Sequence, residues 1–179
     1  MKVDHDQRSA SDSSVRKRAD VRVIDLSGYR VAEAASVLAR SFHDNPNFVY
    51  LFPDERARAR ALPRLQQMCF HDALGFGHVY AATLGGEIVG VAAWLPPHAF
   101  PLSPRRQLRV LPDIALMLAA SPRSVPRLLR FTAGVSRLHP AQPYWYLEVV
   151  GVEPAAQGLG VGTRLLEPVL ARADEVRQR

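Results

Sequence analysis

The chain has 179 residues, a length typical of one domain, and 47% of them are hydrophobic while 22% are charged. It carries 23 Lys and Arg against 17 Asp and Glu, and this net charge of +6 favours anionic ligands. No apolar run reaches the roughly 18 residues that a membrane span needs, and the single cysteine, Cys69, excludes an internal disulfide. The composition therefore predicts a soluble, cytoplasmic protein with no membrane partner.

The charged and metal-binding residue types narrow the choice of ligand. The arginines are spread along the chain with few aromatic residues among them, so nucleic acid is a weaker match than a phosphorylated small molecule. The six histidines show no ligand spacing, which predicts no metal site. Cys69 falls on an apolar helix face, where a core role is favoured over a nucleophilic one.

The N-terminal half begins with a polar segment. Residues 1–20 are polar and charged without an apolar core, so they predict a disordered tail rather than a secretory signal. The single domain then covers residues 21–179. It begins with a short strand at 21–24, and a helix follows whose apolar residues recur on one side over Val31–Phe42. A second helix is predicted over about 54–74.

A β-hairpin is the clearest element of the middle of the chain. His78–Leu84 and Glu87–Leu95 are rich in β-forming residues. Gly85-Gly86 between them suits a two-residue turn, because such a turn needs positive φ angles.

The second half alternates helices with one strong strand. Residues 103–138 have a helical pattern that Pro112 and Ser121-Pro122 are expected to interrupt. A strand over Tyr144–Val152 and a helix over Gly160–Val176 follow. The resulting order, β-α-α-β-β-α-β-α, indicates an α/β domain built on a mainly antiparallel sheet.

The turn between that last strand and helix is the most informative segment. It contains three glycines in five residues, Gly158, Gly160 and Gly162. The first N–H groups of a helix have no partner within it, and together with the helix dipole they form an anion site. Glycines let a pyrophosphate approach the backbone because no Cβ stands in the way. Gly162-Thr163-Arg164 rules out a P-loop, and the glycine spacing differs from the dinucleotide-binding fingerprint.

The same segment carries a family resemblance. Gln157-Gly158-Leu159-Gly160-Val161-Gly162, after Val152-Glu153-Pro154, matches the pattern Gln/Arg-x-x-Gly-x-Gly/Ala behind a strand that ends in Val-x-Pro. At this point the sequence resembles the Gcn5-related N-acetyltransferases, the GNAT family, over roughly residues 21–176. The extra helices between Leu95 and Tyr144, with His139-Pro140, resemble the puromycin N-acetyltransferase-like branch of that family.

The resemblance implies a GNAT fold, acetyl-coenzyme A (acetyl-CoA) as donor, and direct transfer of the acetyl group to an amine of a small molecule. It also implies that the backbone of Val150, Gly151 and Val152 binds the pantetheine arm of the cofactor like an extra strand. The pyrophosphate would be held by the turn and the start of the helix, namely Gln157, Gly158, Leu159, Gly160, Val161, Gly162 and Thr163.

Glu148 is the first candidate for a general base, a role that helps an amine attack a thioester. It lies in the middle of an apolar strand, where a carboxylate is costly unless it is paired or used. Desolvation would raise its pKa, which suits a base. A glutamate bonded to a neighbouring arginine or to the sheet edge is an equal alternative. Strand alternation predicts that Glu148 shares a face with Tyr146 and Val150, and Tyr146 is the second catalytic candidate.

Asp44 and Tyr50 are the candidates for substrate binding. They fall in the loop after the first helix, which in the family borders the acceptor pocket. Asp44 would attract a protonated amine. The alternative is an Asx turn that ends the helix, and it is favoured by the sequence His43-Asp44-Asn45-Pro46.

The family pattern extends beyond the last predicted helix. Members continue with a strand that forms the slot for pantetheine and a helix that often carries the tyrosine general acid. Because the sequence stops at Arg179, we expect either a C-terminally incomplete domain or a sheet completed by a partner, such as a second copy. The 179 residues alone would then have weak or no activity. The alternative function is a non-catalytic module that binds acyl-CoA or a partner.

Overall fold

The computed structural model of the chain describes residues 20–136 and 142–177. Within these ranges, four antiparallel strands form one sheet in the order β1-β2-β3-β4. The strands are β1 (Arg22–Asp25), β2 (Val79–Leu84), β3 (Glu87–Leu95) and β4 (Tyr146–Val152). The helices are α1 (Val31–Ser41), α2 (Pro46–Leu51), α3 (Glu55–Ala73), α4 (Pro104–Ala120), α5 (Val125–Ser136) and α6 (Val161–Arg177).

This architecture confirms the predicted fold class, an antiparallel sheet flanked by helices. Helices α1 and α3 cover one face of the sheet, around a buried cluster that includes Leu38, Phe70 and Val91. Helix α6 covers the other face, where Leu165 and Val169 belong to the same buried cluster as Trp94. Apart from Asp20, the predicted N-terminal tail lies outside the described residues, as does His139-Pro140.

The hairpin prediction is confirmed in detail. Gly85 and Gly86 join β2 to β3 with φ angles of 61° and 92°. Both values lie in the left-handed region that side chains with a Cβ rarely adopt. The two glycines therefore fix the register of β2 against β3.

The expected effect of the prolines is only partly correct. Helix α4 runs through Pro112. The prediction that Pro112 interrupts a helix is therefore wrong. The contacts between α3 and α4 offset the roughly 3 kcal/mol that an interior proline costs. The break at Ser121-Pro122 is confirmed, since a short 3₁₀ turn over Pro122–Ser124 separates α4 from α5.

A β-bulge interrupts the pairing of β4 with β3. Ala93 lies opposite Val149 and Trp94 lies opposite Leu147, so Glu148 has no partner residue on β3. The extra residue shifts the alternation of side chains along β4. Val149 packs with α1 and α3 on the same side as Tyr146, whereas Leu147 and Val150 pack on the α6 side.

The close packing of α1 on β4 depends on Gly151. A Cβ at this position would lie 2.6 Å from Leu38 Cδ2 and 2.9 Å from Ser41 Oγ. Overpacking of this kind costs about 1–3 kcal/mol. We therefore expect Gly151→Ala to lower the melting temperature clearly in a calorimetric scan.

The matched control is Gly28→Ala, because a Cβ at Gly28 would meet no atom within 4 Å. It should leave the melting temperature nearly unchanged. Equal stability of wild type and Gly151→Ala would contradict the packing described for α1 and β4.

Candidate active site

The turn after β4 places its glycines in conformations that suit a close backbone approach. A 3₁₀ turn over Pro154–Ala156 follows β4, and Gly158 and Gly160 then have φ angles of 78° and 75°. A Cβ at either glycine would meet nothing within 4 Å. The space in front of the turn is therefore open, and the backbone of the turn forms its wall.

The start of α6 faces this space. The N–H of Arg164 donates to the carbonyl of Gly160 at 3.2 Å, which is the first backbone bond of the helix. The N–H groups of Val161, Gly162 and Thr163 precede it, so the helix provides no carbonyl for them. A cleft of about 590 Å³ is lined by these residues and by the turn. This arrangement is an anion-binding helix N-terminus next to an open cleft.

The outer edge of β4 is open within the described sheet, and its backbone groups can be assigned. The N–H of Glu153 donates to the carbonyl of Val89 on β3 at 2.8 Å. Because N–H groups alternate in direction along a strand, the N–H groups of Val150 and Val152 point away from β3. They form a row of donors that leads from Glu148 towards the glycine turn.

Gln157 and Gly151 contribute to this edge in different ways. The Gln157 side chain donates to the carbonyl of Val152 at 3.3 Å, which ties the turn to the end of β4. Gly151 points towards α1, where no Cβ fits. The structure thus gives Gly151 a packing role beside its predicted role in cofactor binding. Arg164 donates to the carbonyl of Val21 at 2.6 Å and so braces the start of β1.

Glu148 projects from the bulge into the interior between β4 and α3. Its Oε2 is buried and has no hydrogen-bond partner among the described residues. The Cys69 thiol is in hydrogen-bonding contact with the carboxyl group. Burial raises the pKa of Glu148 to about 7, and the negative charge of Asp72 acts in the same direction, while Cys69 and Arg106 oppose the shift. The carboxyl group is therefore able to exchange a proton near neutral pH.

The prediction that Glu148 shares a face of the sheet with Tyr146 is correct, and the prediction that it shares this face with Val150 is wrong. The Tyr146 side chain interacts with Glu148, and burial together with the charge of Glu148 raises the pKa of the Tyr146 hydroxyl. Val150 packs on the opposite side of the sheet, against the α6 cluster. The bulge is the physical reason, because it inserts one residue between the two positions.

An ion pair that the sequence analysis did not predict lies beside Glu148. The Arg106 guanidinium donates to both carboxylate oxygens of Asp72, with 2.8 Å from Nε to Oδ1, and also to the carbonyl of Ala99. The Asp72 side chain is only 4% exposed. The guanidinium also lies over the ring of Phe76, 4.8 Å from its centroid. The arginine next to Glu148 therefore binds Asp72 and not Glu148 itself.

Cys69, Asp72 and Arg106 were missed as site residues for a physical reason. Cys69 and Asp72 lie three residues apart on α3, so they share a helix face, and an aspartate on an apolar face indicates a paired carboxylate. The partner could not be chosen from the sequence, because many arginines are present and 34 positions separate Asp72 from Arg106.

Asp44 and Tyr50 lie apart from this group. Asp44 is exposed and its carboxylate pairs with His43 Nδ1 at 2.9 Å. Asn45 makes the capping turn instead, since its side chain accepts from Asn47 N at 3.0 Å at the start of α2. Tyr50 lies in helix α2 rather than in the predicted loop, because the Asn45 cap and Pro46 start a new helix there, and its side chain is 45% exposed. Among the described residues, the groups that interact with Glu148 do not include Asp44 or Tyr50, and their role in substrate binding stays a prediction.

Solved structures of acetyltransferases have a fold similar to that of this chain. A crystal structure titled histone acetyltransferase HPA2 and related acetyltransferase, from Corynebacterium glutamicum, is 26% identical to this chain. It superposes with a TM-score of 0.60 over 86% of this chain and 72% of that chain. Arylalkylamine N-acetyltransferase 2 from Aedes aegypti has the same fold, with 16% identity and a TM-score of 0.52 over 87% and 71% of the two chains. No curated protein matches the chain.

The fold and the glycine turn define an acetyltransferase that uses an acyl-CoA donor. Residues 39–178 match the family model described as the acetyltransferase (GNAT) family. The chain belongs to this family, and the predicted GNAT resemblance is confirmed. Its cosubstrate is acetyl-CoA.

The residues present fit acetyl-CoA. The open turn and the first N–H groups of α6 suit a pyrophosphate, and the donor row at Val150 and Val152 suits an extended amide chain. Within the described ranges, no group of three or more His, Cys, Asp or Glu could hold a metal ion. None of the described helices is long and apolar enough to cross a membrane.

Gly160→Ala tests whether the glycine turn binds acetyl-CoA. Gly160→Ala places a Cβ in the open space before the turn, and the left-handed φ costs about 1–2 kcal/mol. We expect the dissociation constant for acetyl-CoA, measured by isothermal titration calorimetry, to rise at least about tenfold, which corresponds to about 1.4 kcal/mol.

Gly86→Ala is the matched control, because Gly86 also has a positive φ and open space around it but lies in the β2–β3 turn. It should lose similar stability and keep its affinity for acetyl-CoA. Equal affinities of wild type and Gly160→Ala would contradict the assignment of the turn.

Proposed function

We propose that this protein is an N-acetyltransferase that acetylates an amine of a small molecule, with Glu148 as the general base. The observation that carries the proposal is a buried carboxyl group with a pKa of about 7, placed by the bulge beside the open edge of β4. A base with this pKa is partly ionised at neutral pH and still binds a proton well. The surrounding structure supports the role because the donor row and the glycine turn are continuous with the bulge.

The chain's own groups divide the work of the reaction. Bound acetyl-CoA supplies an activated thioester. The turn and the first N–H groups of α6 would hold the pyrophosphate, and the N–H groups of Val150 and Val152 would align the pantetheine arm. Glu148 would accept a proton from the ammonium form of the acceptor, so that the amine nitrogen can form its bond to the acetyl carbon. The carbon–sulfur bond would then break and the thiolate would leave, while the nitrogen gives up its second proton to solvent, from which the proton donor of the thiolate is restored.

Tyr146 is the proposed donor of the proton that the leaving thiolate takes up. Its ring packs between two others, with the Phe100 ring centroid 4.4 Å and the Tyr144 ring centroid 6.2 Å from its own. Burial raises the pKa of the Tyr146 hydroxyl, so it keeps its proton at neutral pH and can donate it. Asp44 and Tyr50 would bind the acceptor from the α1–α2 side.

A small amine is the proposed acceptor, because the carboxyl group of Glu148 favours a cation and the nearby rings of Phe100 and Tyr146 favour apolar groups attached to it. The relative at 26% identity is titled a histone acetyltransferase and related acetyltransferase, so protein lysine belongs in the same acceptor screen. The narrower placement in the puromycin N-acetyltransferase-like branch stays a prediction.

The alternative function, a non-catalytic module that binds acyl-CoA or a partner, has one observation in its favour. The outer edge of β4 is open within the described sheet, and an open edge can pair with a strand of a second copy or another partner. Such a strand would compete with pantetheine for Val150 and Val152. Turnover of any amine in an assay that detects free CoA would exclude the non-catalytic alternative.

The pH dependence of turnover tests the base directly. Since Glu148 must be ionised to accept a proton, kcat/KM should rise as the pH passes about 7. Glu148→Gln should lower kcat/KM about 100-fold or more and remove this rise. The measurement is a steady-state profile from pH 5.5 to 9 with the acceptor found in the screen. A Glu148→Gln variant with wild-type turnover would refute the role of Glu148.

The stability of the same variant provides a test that needs no acceptor. The pKa of Glu148 rises from 4.5 to about 7 on folding, so the folded state binds more protons between these values and stability falls as the pH rises through this window. Replacing the ionised group should therefore stabilise the protein at pH 8, by on the order of 3 kcal/mol.

Melting temperatures at pH 5 and pH 8 check this expectation. Glu148→Gln should melt higher than wild type at pH 8 and close to wild type at pH 5. Glu175→Gln, at an exposed position of α6, is the control and should show no such difference. A lower melting temperature for Glu148→Gln at pH 8 would contradict the description of Glu148 as a desolvated carboxylate that no cation binds directly.

A further inference from the structure

The ion pair formed by Asp72 and Arg106 has no role in the reaction described so far. Both oxygens of Asp72 accept from Arg106, and Arg106 is held in turn by the carbonyl of Ala99 and the ring of Phe76. These contacts join the end of α3 to the start of α4.

The pair also lies beside Glu148, because Cys69, one helical turn before Asp72 on α3, contacts the Glu148 carboxyl group. Phe100, next to the Ala99 carbonyl that Arg106 binds, packs on Tyr146 with the two ring centroids 4.4 Å apart.

We propose that Asp72 and Arg106 are positioning residues for Glu148, which together set the charge around its carboxyl group and fix the end of α3 to the start of α4. The inference rests on the proposed role of Glu148. It assigns a function to two residues that do not themselves contact the reacting atoms.

The charges of Asp72 and Arg106 have opposite effects on the ionisation of Glu148. Asp72 brings a negative charge near Glu148 and so favours the protonated form of Glu148, whereas Arg106 favours the ionised form. The Arg106 charge is directed at Asp72 through two hydrogen bonds, so only part of it acts on Glu148. The remaining groups that face Glu148 are the Cys69 thiol on α3 and the Tyr146 hydroxyl on β4.

This arrangement predicts opposite effects from the two halves of one ion pair. In Asp72→Asn the repulsion is lost and Arg106 is no longer engaged by a carboxylate, so the titration midpoint of Glu148 should fall by about one pH unit. In Arg106→Gln the Asp72 charge is no longer compensated, so the midpoint should rise by a similar amount. A pair that served only to stabilise the fold would not move the midpoint in opposite directions.

The experiment is a ¹³C NMR titration of the full chain with glutamate labelled at its side-chain carboxyl carbon, between pH 4 and 9. Glu148→Gln identifies the Glu148 signal by its absence. Arg30→Gln is the control, because Arg30 forms an ion pair with Glu33 at 2.7 Å that is not among the groups acting on Glu148. It should leave the Glu148 midpoint unchanged.

Opposite shifts in Asp72→Asn and Arg106→Gln support the proposal, and shifts in one direction or none beyond the control overturn it. If Arg106→Gln does not fold, Asp72→Asn decides alone: a lower midpoint supports the proposal, and an unchanged or higher midpoint overturns it. Arg106→Lys keeps the charge and should keep the midpoint closer to wild type than Arg106→Gln does.

The NMR titration and the enzyme assay distinguish a failure of the role of Asp72 and Arg106 from a failure of the proposed base. Opposite shifts together with full activity of Glu148→Gln would mean that the pair tunes Glu148 but that Glu148 is not the base. Loss of activity in Glu148→Gln without the opposite shifts would leave the proposed base intact and overturn the role of Asp72 and Arg106. With both results positive, the acid limb of the pH profile should move in the same direction as each NMR midpoint.

Discussion

The antiparallel pairing of β4 with β3, interrupted by one bulge, is the constraint on which the site depends. Regular pairing after the bulge turns the N–H groups of Val150 and Val152 to the open edge. The bulge itself leaves Glu148 without a cross-strand partner and directs it towards α3, where its carboxyl group is buried. One local irregularity thus places the proposed base beside the proposed cofactor edge. A regular strand would have put Glu148 opposite a residue of β3 and Val150 on its own face.

Packing on both sides keeps β4 in this position. Helix α1 approaches so closely that only glycine fits at residue 151, and α6 packs on the other face through Leu165 and Val169. The same helix α6 presents its N-terminus to the cleft beyond the glycine turn. Helix α6 therefore stabilises one face of the sheet and also provides the anion site.

Local signals in the sequence predicted the hairpin, the glycine turn and the membership of the GNAT family, because each depends on residues adjacent in the chain. The α4 helix was expected to break at Pro112, and tertiary contacts with α3 override that local preference. The bulge leaves no mark in the alternation of apolar residues, so the face of Val150 was predicted wrongly. Asp72 and Arg106 meet only through the fold, and no spacing rule connects positions 34 residues apart.

The most direct test of the account is amide hydrogen exchange of the chain with and without acetyl-CoA, resolved by residue. A ligand that lies along the edge of β4 and on the glycine turn must bond the N–H groups of Val150, Val152 and the first turn of α6. The account predicts that acetyl-CoA slows exchange at these amides and leaves the Gly85-Gly86 turn unchanged. Protection confined to other elements would show that the cofactor does not lie on β4 and would contradict the account at its centre.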